Sequence, residues 1–365
     1  MKLLYIVPRL GGAGGLQRIV LLKAGYLADK KKYNVTILVT NPDTDAVLFP
    51  VSPNINIRYI KPHDAGLLPY FFSYRTHLNN EIAHINPDAI IMCDNGLKSF
   101  FLPFLLQKKT PLIYEMHASK YFINEAVAAN KLLRLLPAQA LLHFLLSRFS
   151  KFIALTDAGA AEWKLNNSMV IPNPIWFSAV MENPLTAKKI IAMGRHTPQK
   201  GYKRMLSMWK EISKNFPDWT LEIYGARNPV YDVKKIADEN NLERVIFSNP
   251  VNDIEKAYSQ ASINIMASES ESFGMVLIEA MECGVPCIAF DCPVGPAAII
   301  KDGKNGFLVA DGDEKEFINR MQQLMVSHIL RLKLGEGAKK TAALYNIGAI
   351  MEQWDKLFKM LVKGT

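Results

Sequence analysis

The stretch Ser270-Glu271-Ser272-Phe273-Gly274-Met275-Val276-Leu277-Ile278-Glu279-Ala280-Met281-Glu282-Cys283-Gly284-Val285-Pro286 decides the fold. An apolar run at 263–266 precedes it and a second, at 285–290, closes it; both read as buried strands. Between them the pattern predicts a helix that begins near Gly274 or Met275 and stops at Gly284, a residue suited to the left-handed position after a helix end. Glu271 then lies in the loop before the helix, and Glu279 about one turn inside it. The first free N–H groups of such a helix point at whatever fills the loop and suit a phosphate. Carboxylates accept hydrogen bonds from vicinal hydroxyls, so two of them flanking an anion seat point to a sugar nucleotide. The plain alternative is a capped helix with two solvated acids.

Working outward, the second half of the chain starts its strand–helix alternation at 189–193 and continues with strands at 221–224, 245–247, 263–266, 286–290 and 307–309. Helices are predicted over 313–330, 331–343 and 347–361. The first of these strands runs into Gly194-Arg195-His196-Thr197-Pro198-Gln199-Lys200-Gly201. A guanidinium and an ammonium five residues apart on a strand-end loop can close on a diphosphate from two sides, each contact contributing about 1.5–3 kcal/mol; two solvated bases in a turn is the plain reading. Before it, residues 172–188 hold three prolines and little periodicity and read as a linker.

The first half alternates strands at 3–7, 35–40, 55–60, 89–92, 112–114 and 152–155 with helical segments, which argues for a parallel sheet covered on both faces. Ligands of such sheets sit beyond the carboxyl ends of the strands. The first end carries Gly11-Gly12-Ala13-Gly14-Gly15 and then Leu16-Gln17-Arg18. As a dinucleotide fingerprint this fails, because Gln17 stands where a third small residue is needed; an anion cradle and a tight turn are equally good readings. The fifth strand ends in Tyr114-Glu115-Met116-His117, placing Glu115 and His117 near one edge.

At 365 residues the chain suits about two domains. Its four cysteines are too few for a disulfide scaffold and form no zinc pattern, which points to a reducing cytosol. The N-terminus reads as a first strand rather than a signal peptide, and no stretch offers about 18 uninterrupted apolar residues for a membrane span. Residues 1–175 carry 19 Lys/Arg against 11 Asp/Glu, and the rest 24 against 23, so the basic excess belongs to the first half. With no nucleic-acid module in the chain, an anionic membrane surface is the preferred partner of that half over plain solvent. Residues 121–149, apolar with basic ends, read either as an interfacial contact or as a helix packed in the domain. Two Asp-x-Asp triplets are better explained structurally: Asp43-Thr44-Asp45 as a turn, and Asp311-Gly312-Asp313 as a helix cap. No metal is predicted.

Together these features resemble the retaining glycosyltransferases of family 4, the glycosyl transferases group 1, over essentially the whole chain. Glu271 and Glu279 match that family's Glu-x7-Glu motif, and Gly194-Arg195 with Lys200-Gly201 match its donor-diphosphate loop. The resemblance implies a GT-B fold: two α/β Rossmann-like domains facing across a cleft, here 1–171 for the acceptor and 189–345 for the donor, joined by 172–188. The helix at 346–365 is expected to pack back on the first domain.

By the same resemblance Arg195 and Lys200 would hold the diphosphate and stabilise the leaving group in place of a metal. Glu279 would hold the ribose, Glu271 the transferred sugar, and the backbone of Phe273, Gly274 and Met275 its hydroxyls or phosphate. Val251, in the loop Asn249-Pro250-Val251-Asn252, would meet the base, Gly15 the donor, and Gly14 and Gln17 the acceptor. His117 would face the reaction centre, and closure would bring it toward Arg195 and Lys200. Two departures stand out: Pro174 where relatives have the Gly of Pro-Asn-Gly, and Gln17 where they often carry Glu.

The expected reaction is transfer of a hexose, from a UDP-sugar in preference to a GDP-sugar, to a hydroxyl of a glycan, lipid-linked or other envelope acceptor, with retention and with no cofactor. The protein would be cytoplasmic, peripheral on the inner membrane face where the basic half meets lipid. Competing readings are a sugar-nucleotide epimerase on the same fold and a non-catalytic sugar-nucleotide-binding subunit.

Overall fold

A computed structural model describes residues 1–12, 14–42, 46–62, 66–107, 109–120, 138–251 and 253–363. The triplet Asp43-Thr44-Asp45, most of the 121–149 stretch and Asn252 of the 249–252 loop therefore lie outside the described residues. The chain divides into two compact units, Met1–Pro174 with Ile347–Thr365, and Ile175–Asn346.

In the first unit seven strands form a wholly parallel sheet: β1 (Lys2–Val7), β2 (Asn34–Val39), β3 (Ile55–Tyr59), β4 (Ala89–Met92), β5 (Leu112–Glu115), β6 (Lys151–Ala154) and β7 (Ser168–Val170). Their order is β3-β2-β1-β4-β5-β6-β7, which reverses direction between β1 and β4. Successive side chains point to opposite faces of a strand. Leu4, Ile6, Ile90, Tyr114 and Phe152 therefore pack on one face with Tyr74, Leu145 and Trp163. Leu3, Tyr5, Ile37, Ile91 and Ile113 pack on the other with Val20, Ala24 and Leu27.

The last helix, Ile347–Lys363, completes that second layer with the fully buried Trp354 and Phe358. Asp355 latches it: the carboxylate accepts from Tyr33 and pairs with Lys31 and Lys359, at 3.3 and 2.8 Å for the two ammonium groups. Burial alone would raise the Asp355 pKa, but the hydrogen bonds from Lys359, Tyr33 and Lys31 outweigh it and hold the group at about 2.

The second unit contains six parallel strands, β8 (Lys189–Met193), β9 (Thr220–Tyr224), β10 (Val245–Ser248), β11 (Ile263–Met266), β12 (Cys287–Asp291) and β13 (Gly306–Ala310), in the order β10-β9-β8-β11-β12-β13. Its direction reverses between β8 and β11. Asp313 caps the Glu314–Val326 helix by accepting from the Glu316 N–H at 3.0 Å, which accounts for the second Asp-x-Asp triplet.

Of the predicted linker, residues 175–188 have no helix or strand, yet they belong to this unit. The Ala179 N–H donates to Glu282 at 3.1 Å, and the Asn183 amide donates to the carbonyls of Tyr258 and Ala261 at 2.9 and 2.8 Å. Among the described residues no helix is long and apolar enough to cross a membrane.

Candidate active site

In an open parallel sheet the loops after two neighbouring strands diverge where the strand order reverses, leaving a crevice at their carboxyl ends. In the second unit those strands are β8 and β11. The loop after β8 holds Arg195, exposed, and Lys200 in a short 3₁₀ turn, Pro198–Lys200, that ends on Gly201. The loop after β11 holds Glu271, followed by the Met275–Glu282 helix. Lys200 Nζ reaches across to Glu271 Oε1 at 2.6 Å, and the Ser268 hydroxyl donates to the same oxygen at 2.7 Å.

The two loops touch because glycine lets them. Gly201 has φ +65°, and a side chain there would place its Cβ 1.7 Å from the Ala267 carbonyl oxygen. Gln199 stitches the same seam, donating to the Ser270 carbonyl at 2.9 Å while its own carbonyl accepts from the Glu269 N–H at 2.8 Å. Arg204 closes it from beneath: Nε donates to the Ala267 carbonyl at 2.6 Å, and one terminal nitrogen pairs with Asp311 at 2.7 Å. The guanidinium lies over the Phe290 ring.

The Met275–Glu282 helix starts from Gly274 at φ +99°, with no side-chain cap and no acidic residue in its first turn. Its first N–H groups and the positive end of its dipole therefore suit an anion. Phe273 is buried against the Tyr345 ring, and Val294, at φ +83°, bridges Glu271 from the loop after β12. A bulky β-branched residue at positive φ is strained, so the rim of this crevice is held rather than relaxed. Glu279 sits one turn into the helix, 3% exposed, and its Oε1 accepts from the Trp176 indole N–H at 2.8 Å. Gly284 follows the helix at φ +69°, as its sequence position predicts. Val251 is half-buried in the loop after β10.

His196, between Arg195 and Lys200, is buried edge-on against Tyr202 and Phe247; burial lowers its pKa and the Arg227 charge lowers it further, so it is neutral at physiological pH. Burial pushes the thiols of Cys283, Cys287 and Cys292 up to about 12, so none is a thiolate at neutral pH.

The reversal point of the first unit lies between β1 and β4. The loop after β1 leads to Gly14, which precedes the Gly15–Asp29 helix; that helix too has no side-chain cap and no first-turn acid. Gln17 is buried with its amide oxygen folded over Gly14, so close that a Cβ on Gly14 would lie 2.1 Å from it. After β5, His117 Nε2 lies 3.1 Å from Glu115 Oε1. Glu115 is fully buried with Lys23, whose ammonium also lies 4.4 Å from the Trp354 ring centroid. Burial would raise the Glu115 pKa, but the charges of Lys23 and His117 pull it well below the usual carboxylate range. Cys93, Glu115 and His117 form a group of metal-ligand types among the described residues. The Lys23 ammonium already supplies the positive charge there.

Several residues around these crevices carry no sequence signal. Arg204, Gln199 and Trp176 read as ordinary helix, turn and linker residues. After β4, Asp94 is buried, which raises its pKa against the Gly96 N–H bond and the Lys98 charge. Lys98 Nζ donates to Asn41 Oδ1 at 2.7 Å and lies near the Tyr70 hydroxyl. A polar strand-end residue such as Asn41 or Asp94 is the one cue that could have found this cluster.

Residues 177–341 match the family model described as glycosyl transferases group 1. The amylovoran biosynthesis glycosyltransferase AmsD of Erwinia amylovora is 28% identical over 373 aligned positions, covering 98% of this chain and 99% of the relative. Among solved structures, the sucrose-phosphate synthase of Thermosynechococcus elongatus superposes with a TM-score of 0.82 at 20% identity, covering 100% of both chains. HepE of Anabaena, in complex with UDP-glucose, gives 0.76 at 18% identity over 99% of this chain and 100% of its own. The two parallel-sheet units are those of the GT-B fold.

Proposed function

We propose that this chain, whose residues 177–341 belong to the glycosyl transferases group 1 family, transfers a hexose from a nucleoside diphosphate sugar to a hydroxyl of an envelope glycan or lipid-linked acceptor, with retention and without a metal. The observation that carries the reading is the 2.6 Å pair of Lys200 and Glu271, which meet from the two strand ends flanking the reversal point of the second sheet. A diphosphate arriving there finds Arg195 and Lys200 as charge partners, and the transferred sugar finds Glu271. Positive charge fixed where the leaving phosphate gains negative charge lowers the barrier, and the phosphate itself takes the acceptor proton. Glu279 holds the ribose, Phe273 to Met275 offer backbone N–H groups, and Val251 meets the base. His117 contacts the sugar from the end of β5, while Gly14, Gly15 and Gln17 line the acceptor side.

The UDP-glucose bound by HepE and the amylovoran biosynthesis in the name of the Erwinia relative support the choice of a UDP-sugar and an envelope glycan. An anionic membrane surface is the proposed partner of the first unit. There Phe104 and Phe144, both exposed, stack at 6.0 Å, with the Arg148 guanidinium over the Phe144 ring.

The test is thermal unfolding in the presence of UDP, GDP and a panel of their sugars. A ligand at 100 times its dissociation constant stabilises by about 2.7 kcal/mol. A rise in melting temperature is expected with UDP-sugars, smaller with GDP-sugars. No protection by any nucleotide would overturn the reading, as would an epimer formed from the donor alone.

A further inference from the structure

The chain enters the second unit at Ile175 and leaves it at Asn346, and both crossings rest on the Glu271–Glu279 motif. Next to the exit, the Tyr345 ring stands edge-on to Phe273, centroids 5.5 Å apart. Next to the entry, the Trp176 indole N–H donates to Glu279 Oε1 at 2.8 Å. The Ile175 N–H donates to the Tyr345 carbonyl at 2.8 Å, tying the crossings to each other. Phe177 braces the indole at 4.8 Å between centroids.

A carboxylate as buried as Glu279 requires hydrogen bonds, and a donor to an ionised acceptor makes a strong, directional one. Phenylalanine would fill much of the space of the indole ring, so the N–H is what tryptophan specifically adds. We propose that Trp176 is a positioning residue for the nucleotide: by engaging Oε1 it turns the Glu279 carboxylate to receive the 2′ and 3′ hydroxyls of the donor ribose. This rests on the assignment of Glu279 to the ribose given above. It makes the entry crossing part of the ribose grip.

The test compares UDP with 2′,3′-dideoxy-UDP by calorimetry in the wild type, Trp176→Phe and Glu279→Gln, using the guanosine pair if GDP binds more tightly. Trp176→Phe is expected to bind UDP about tenfold more weakly, the size of one lost hydrogen bond to a charged group, and the dideoxy form unchanged, so that the preference for ribose collapses. Glu279→Gln is expected to collapse it too. Equal weakening of both ligands in Trp176→Phe, or an unchanged preference, overturns the proposal while leaving Glu279 its role. An unchanged preference in Glu279→Gln overturns the ribose assignment and the proposal with it.

A second measurement needs no variant. The chain has five tryptophans, so a nitrogen-15 indole spectrum of the wild type has five N–H signals. One is expected to move with UDP and to stay with the dideoxy form; no such signal at saturating UDP overturns the proposal.

Discussion

Each unit places a lysine–glutamate pair near the carboxyl edge of its sheet, and the two pairs differ in what surrounds them. Lys23 and Glu115 are each 1% exposed, walled by Trp354 and Cys93. Lys200 and Glu271 are 21% and 10% exposed, beside the exposed Arg195 and an uncapped helix start. A buried pair is fixed because breaking it strands a charge away from water. A pair at the rim of a crevice can exchange one partner for an incoming phosphate at little cost, since water and ligand both compensate the charge. The same two residue types therefore make a lock in one sheet and, by the function proposed above, a ligand seat in the other.

Breaking the lock is the largest expected effect. Lys23→Met should destabilise the protein by about 3–5 kcal/mol, because the buried Glu115 carboxylate loses the larger of the two partners that hold it ionised. Adding Glu115→Leu should restore most of that loss. Denaturant unfolding of the single and double variants checks this; a single variant costing under about 1 kcal/mol would put Lys23 in the same class as Lys200 and erase the contrast.

Opening the seat should act on turnover instead. Lys200→Ala is expected to lower turnover by about 10²–10³-fold, equivalent to about 2.7–4 kcal/mol of transition-state stabilisation. Its unfolding free energy should move by no more than about 1 kcal/mol. Steady-state kinetics beside a melting curve separate the two, and near-normal turnover would remove Lys200 from the diphosphate site.

The smallest effect concerns the surfaces. The first half carries nearly all of the excess positive charge, 19 basic against 11 acidic residues over 1–175. Anionic vesicles attract each nearby basic side chain by about 1 kcal/mol, and salt screens the attraction. Co-sedimentation of the full chain is expected at low salt and lost at high salt. Binding that ignores salt, or none at all, would reduce the charge difference between the halves to ordinary solvated surface.

Most of the architecture was legible because a buried parallel strand needs a short apolar run bounded by turn residues, and those runs stand close to where the strands lie. The predicted runs at 89–92, 189–193 and 263–266 coincide with β4, β8 and β11. The helix from Met275 was legible for the same local reasons, with Gly274 and Gly284 at left-handed backbone angles on either side. The Glu-x7-Glu spacing and the Arg195–Lys200 loop are also local patterns.

What the sequence did not show is which groups meet. Trp176 and Glu279 are 103 residues apart, Lys23 and Glu115 are 92 apart, and Lys200 and Glu271 are 71 apart. No periodicity links such positions; for Lys200 and Glu271 strand order does, by bringing β8 beside β11, and for the other two pairs the packing of a helix or an irregular segment does. The sequence by itself determined the strands, the helix starts and the residue types of the proposed sugar-nucleotide site, since these depend on neighbours within a few residues. Only the tertiary structure decided that one lysine–glutamate pair is sealed, that the other stands at a crevice rim, and that a tryptophan from the irregular segment 175–188 donates to Glu279. Burial and hydrogen-bond partnership are properties of packed surfaces rather than of the chain.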